Sequence, residues 1–105
     1  MRIYLSGPIS GQTNYRRVFR EAKALLEENG YHDIVNPAEL CEVIPKSYAY
    51  SDIMTICIDL LSNCDAVLLL PGWDKSHGCG REIGYAEAMD LIVMEFEDFI
   101  NTKGA

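Results

Sequence analysis

The stretch DKSHGCGREIGYAEAM, Asp74 to Met89, places a glutamate behind a serine and two glycines. Helix starts with spare backbone N–H groups bind anions, and glycine-rich turns form anion-holding concavities. Ser76, Gly78 and Gly80 therefore make one candidate ligand loop. Glu82 follows, near the expected first turn of a helix, where the dipole favours an ionised carboxylate. That ionised form is what attacks an anomeric carbon. Two readings of Glu82 stay open on these grounds: a nucleophile, or a partner of the helix dipole or of Arg81. Tyr85, one turn on, is placed to hold the carboxylate by a hydrogen bond. Trp73 either stacks on a base or packs on the domain surface, and His77 flanks the loop. Asp74 and Lys75 read as surface charges. Cys79, between two glycines, is the candidate reactive thiol.

A second candidate loop is SGPISGQTN. Gly7 and Gly11 allow close backbone approach, and Ser6, Ser10 and Thr13 offer hydroxyls. It is neither a Walker loop nor GxGxxG, so an ordinary strand-to-helix turn is the competing reading. Tyr4 alternates with Ile3 and Leu5, and its face is either core or site.

These residues need elements to position them. RIYLS reads as a short strand, and Tyr15, Val18, Phe19, Ala22, Leu25 and Leu26 repeat at helical spacing up to Asn29-Gly30. DIVNP reads as a second strand stopped by Pro37, and residues 38–50 as a loop with at most a short helical turn. Ile53, Ile56, Cys57, Leu60, Leu61 and Cys64 form one apolar helical face, opposite Asp52, Thr55, Asp59 and Ser62. AVLLLP is a strand buried on both faces. A helix is expected from about Arg81 to Asp90, then a last buried strand, LIVMEF, and a fraying tail, EDFINTKGA. This alternation predicts one α/β domain over residues 1–105, with an open parallel sheet of about four to five strands flanked by helices. In such a three-layer, Rossmann- or flavodoxin-like sandwich, ligands bind at the C-terminal strand edge, where both loops lie.

Composition narrows the function. Sixteen acids against nine bases give a net charge of −7, which argues against a broad nucleic-acid surface. No apolar run approaches the roughly 18 residues of a membrane span, and the N-terminal apolar stretch is too short for a signal peptide. The expectation is a cytoplasmic protein. Cys41, Cys57, Cys64 and Cys79 form no CxxC pair, and with His32 and His77 they match no standard zinc spacing. They are expected to be reduced and mostly structural.

IYLSGPISG, NCDAVLLLPGW and SHGCGREIGYAEAM together resemble the nucleoside 2-deoxyribosyltransferase superfamily. That group includes deoxynucleoside 5′-monophosphate N-glycosidases and small phage and bacterial relatives. The resemblance runs over nearly the whole chain. Its strongest piece is G-x-G-x-E-h-G-x-A, where h is apolar, carried by Gly78, Gly80, Glu82, Ile83, Gly84 and Ala86.

The resemblance implies that Glu82 is the nucleophile at the sugar C1′ and that Tyr4 lies beside it. It also implies that Gly7, Ile9, Ser10 and Gly11 border the sugar and phosphate. Ser76 matches the position where nucleotide hydrolases carry a phosphate-contacting serine and nucleoside transferases an aspartate. A small-molecule nucleoside or nucleotide is then the partner, with no metal or organic cofactor. A homo-oligomer, dimer or tetramer, is implied too, with Tyr48–Tyr50 or Met89–Met94 as its surface. Two positions depart from the pattern. Ser10 stands where the nucleotide hydrolases use an arginine. The second catalytic aspartate falls, by register, on Cys57, while Asp59 is two residues on, roughly 200° around the helix. Weak turnover, a different leaving group, and binding without chemistry are the three readings this leaves open.

Overall fold

Successive side chains of a strand point to opposite faces, and in the first strand that alternation separates two cores. In the computed structural model, which describes residues 1–103, β1 (Ile3–Ser6) sends Ile3 and Leu5 into one apolar cluster and Tyr4 into another. β3 (Ala66–Leu69) does the same, with Ala66 and Leu68 on the first side and Val67 and Leu69 on the second. Both strands are fully buried. Among the described residues they form the centre of a four-stranded parallel sheet, ordered β2-β1-β3-β4, with β2 at Ile34–Val35 and β4 at Ile92–Glu95.

Helices cover both faces. Phe19, Ala22 and Leu26 of α1 (Tyr15–Glu28) pack on the Ile3–Leu5 side, with Ala38 of α2 (Pro37–Val43) and Phe96 of α5 (Phe96–Lys103). Cys57 and Leu61 of α3 (Tyr50–Leu61) and Ala86 of α4 (His77–Ala88) pack on the Tyr4 side. The fold is thus the expected α/β three-layer sandwich, at the lower end of the expected strand number.

Four local expectations change. Pro37 does not merely stop a strand; it opens α2, whose first turn is held by Asn36, which accepts from the Ala38 amide at 3.0 Å. Proline suits a first helical position because no backbone partner is needed there. The segment expected as a loop over 38–50 therefore begins as helix and becomes irregular only after Val43. α4 starts at His77 rather than Arg81, because the Ser76 hydroxyl accepts from the Cys79 amide and caps it. β4 is not a buried strand: it is the sheet edge, and Ile92 is exposed. The expected tail folds as α5, since Phe96, Phe99 and Ile100 find the Ile3–Leu5 core; Gly104 and Ala105 of that stretch lie outside the described residues.

The loop leaving β1 is pinned by close packing. A Cβ on Gly7 would fall 2.9 Å from Leu70 Cβ and 3.2 Å from Phe19 Cζ. Gly72, at φ +88°, lies against Pro8, so the loops after β1 and β3 touch. Overpacking of this kind costs about 1–3 kcal/mol. Gly7→Ala is expected to lower the unfolding free energy by that amount, read in equilibrium urea unfolding as a lower midpoint with an unchanged m-value.

Candidate active site

Tyr4 and Ser6 stand two residues apart on β1, so they share the face that α4 covers. Both reach one side chain there. The Tyr4 hydroxyl donates to Oε2 of Glu82, and the Ser6 hydroxyl donates to Oε1 at 2.7 Å. Each carboxylate oxygen has its own donor, which fixes the plane of the group. Glu82 is only 6% exposed, and Tyr4 and Ser6 are fully buried. Tyr85, expected to hold the carboxylate, packs instead against the apolar cluster behind it. Arg81, the other expected partner, lies over the Tyr50 ring at 5.3 Å.

Glu82 is the sixth residue of α4, past the turn where the dipole acts most strongly. Burial, not the dipole, governs its ionisation: desolvation pushes the carboxyl above its usual range, and the Tyr4 and Ser6 hydroxyls pull it back. Burial and the neighbouring Glu82 push the Tyr4 phenol strongly upward, so Tyr4 remains a donor at any working pH.

The carboxyl forms part of the lining of a cleft of about 660 Å³. The cleft opens at the C-terminal ends of β1 and β3. From β1 the chain turns to β2 on one side and to β3 on the other, and the crevice between such strands is where open α/β sheets bind ligands. Gly7, Ile9 and Ser10 line it from the first loop, and Lys75 and Ser76 from the second. Cys41 of α2 and Tyr50, Met54 and Cys57 of α3 form the wall facing Glu82. His77, Gly78 and Arg81 line it from the start of α4. Among the described residues, Glu82 is the cleft's only acid, against Lys75 and Arg81.

Four of the residues singled out in the sequence lie elsewhere. Gly11 is exposed in a turn at φ +78°, and Gly80 faces solvent on the outer side of α4. Trp73 packs on the Tyr4-side cluster, and its Nε1 donates to Glu95 at 3.2 Å. Asp59 is exposed on the outer face of α3, beside a shallow depression with Thr55 and Ile58. Cys57, in contrast, lines the cleft and packs in the same buried cluster as Tyr4. Sequence reasoning passed over Ser6 as a partner of Glu82, although its period-2 spacing from Tyr4 carried the signal. It also passed over Cys41 and Tyr50, which come from a segment with no clear period, and Met54, which lies within the α3 pattern but was not counted on its apolar face.

All four cysteines are free thiols. Burial pushes Cys57 and Cys64 up to about 11, and Cys41 and Cys79 upward as well. A reactive thiol needs the opposite shift, so Cys79, 1% exposed, is a buried residue rather than the candidate reactive thiol. No group of three His, Cys, Asp or Glu among the described residues is placed to hold a metal ion. No helix among them is long and apolar enough to cross a membrane.

A family model described as "Domain of unknown function (DUF4406)" matches residues 1–95. The chain belongs to this DUF4406 family. No curated protein matches the DUF4406 chain by sequence. Among solved structures it is similar to a 2-desoxiribosyltransferase from Leishmania mexicana, with a TM-score of 0.64 and 22% identity. The match covers 90% of the DUF4406 chain and 62% of the Leishmania chain, so the DUF4406 domain spans less than two thirds of that protein's length. At this identity the likeness is one of fold.

The buried carboxyl has a measurable cost. Its folded pKa lies above the unfolded one, so the stability of the protonated form is full below the ordinary carboxylate range. That stability is lost as pH rises through the raised value. Glu82→Gln stays uncharged, and near pH ~8 it is expected to melt at a higher temperature than the parent. The gap should close toward pH ~4. Thermal melts of both proteins at the two pH values check this.

Proposed function

We infer that the DUF4406 protein cleaves or transfers the N-glycosidic bond of a nucleoside or nucleoside 5′-monophosphate, with Glu82 as the nucleophile at C1′. The observation that carries this reading is the buried carboxylate clasped by Tyr4 and Ser6 in the switch-point cleft. A carboxylate so held suits an oxocarbenium-like transition state, because its charge is aimed, desolvated and already oriented. Tyr4 and Ser6 position Glu82 rather than touch the sugar. Fold similarity to a 2-desoxiribosyltransferase gives the reading a precedent.

The mouth of the cleft supports a 5′-phosphate. Lys75, Arg81 and His77 gather there in a chain of net charge −7, beside Ser76 and the N-terminus of α4. Free amides at a helix start and two cations suit an oxyanion. Ser10 adds a hydroxyl from the opposite loop. Water as acceptor gives hydrolysis; a second base gives transfer. Exposed Tyr48, Tyr50, Met89 and Ile92 support a homo-oligomer.

Cys57 favours a second reading. It lines the cleft as a thiol pushed up to about 11, and no second carboxyl accompanies Glu82 among the described lining residues. On that reading the domain binds nucleotides without turnover.

A panel of nucleosides and their 5′-monophosphates, in ribo and deoxy forms, separates the two, with free base read by chromatography. Turnover that falls at least ~10³-fold in Glu82→Ala supports the enzyme. Binding without base release across a panel that includes N-alkylated bases, little changed in Glu82→Gln, supports the second reading and sinks the first. In the active case, Lys75→Ala with Arg81→Ala is expected to raise KM for monophosphates by ~10-fold or more and to spare the matching nucleosides, since one charge-assisted contact is worth ~1.5–3 kcal/mol.

A further inference from the structure

On the glycosyl-transfer reading the cleft holds a nucleophile, and no second carboxyl among the described lining residues goes with it. Expelling a neutral purine or pyrimidine from C1′ leaves negative charge on the departing nitrogen, and a positioned proton donor normally quenches it. The cleft offers poor candidates. Glu82 is its only carboxyl among the described residues, and that group is committed to C1′. Tyr4 already donates to Glu82. Burial holds the proton of Cys57 too tightly for efficient transfer near neutral pH. His77 is exposed as the first residue of α4, and five residues along a helix set it ~7.5 Å from Glu82 along the axis, roughly 140° around it.

The charge balance of the cleft gives an independent pointer. Glu82 is buried, yet its bonded partners are two neutral hydroxyls, and no ion pair among the described residues includes it. A buried carboxylate without a counter-ion is expensive. The cations that line the cleft, Lys75 and Arg81, are exposed where Glu82 is buried. The cleft is therefore polarised: one inner negative charge, an apolar wall of Ile53, Met54 and Tyr50, and a positive mouth.

We propose that the substrate is a cationic N-glycoside, a nucleotide whose base carries a positive charge at or next to the glycosidic nitrogen, such as a pyridinium or an N7-alkylated purine. This rests on the glycosyl-transfer reading above and names its substrate class. The ring cation sits near Glu82 and supplies the missing counter-charge, which favours the ionised carboxylate. The 5′-phosphate faces the positive mouth. The C1′–N bond breaks, and its electron pair returns to the base, which leaves neutral and needs no proton. The Glu82 carboxylate forms the new C1′–O bond. Water then displaces the carboxylate, giving the free sugar phosphate and one proton to solvent.

Matched pairs test this on the full chain. The probes are guanosine and 7-methylguanosine 5′-monophosphates in ribo and 2′-deoxy forms, with nicotinamide ribotide beside adenosine 5′-monophosphate. Base release is followed by chromatography, and the rate with Glu82→Gln is subtracted because cationic glycosides also hydrolyse unaided. The expected result is Glu82-dependent cleavage of a cationic member at least ~100-fold faster than of its neutral partner, the lower range of what a general acid contributes. Neutral nucleotides cleaved at comparable or higher rates overturn the substrate class and leave the glycosyl-transfer reading standing. Absence of Glu82-dependent cleavage across all probes overturns both.

Discussion

One carboxylate held by two strand hydroxyls organises this molecule. Glu82 is out of water, and among the described residues Tyr4 and Ser6 are the donors that offset the loss of its hydration. Both donors must project from one face of β1, so the strand register cannot slip by a residue without taking them away. α4 must lie against that face with its sixth residue pointing inward, so the helix start is constrained as well. The core on the other side of the sheet, built by Ile3, Leu5, Phe19 and Leu26, keeps β1 in place. The site and the fold therefore depend on the same four-residue strand.

Much of this arrangement was legible in the sequence, for physical reasons that differ between elements. The parallel sheet followed from continuous apolar runs separated by helical periodicity, signals that arise directly from two-sided burial. Glu82 and Tyr4 were visible as polar groups in places where burial or a ligand had to account for them. α2 was hidden because seven residues hold barely two turns, too few for a period, and its proline resembled a stop signal. The start of α4 was hidden because glycine is a poor helix former, while the cap that begins the helix is a single hydrogen bond from the Cys79 amide to the Ser76 hydroxyl. β4 looked buried from its composition alone; its place at the sheet edge depends on strand order, which no local pattern encodes. Ser6 was read as a loop hydroxyl although the pairing of β1 with β3 runs through it to Leu69.

The cleft divides its labour by depth. Its inner end is a fixed, desolvated negative group with neutral donors behind it. Its outer end is solvated and basic, with Arg81 stacked on Tyr50 and α4 beginning just after Ser76. Dipolar ligands fit such a gradient in one orientation only. The overall acidity of the chain sharpens it, because the few cations at the mouth stand out against a repulsive surface.

The total burial of β1 also governs motion. Amide protons in a strand with 0% exposure and hydrogen-bonded neighbours on both sides exchange with solvent only when the largest cooperative unit of a domain comes apart. Tyr4 and Ser6 belong to that unit, so the floor of the cleft stays rigid through every smaller fluctuation. Adaptation to ligands of different shape is left to the exposed turns at residues 10–14 and 74–77. A descendant of this protein can thus change what it admits by altering those turns, whereas any change to what lies beneath them disturbs the most buried strand of the chain.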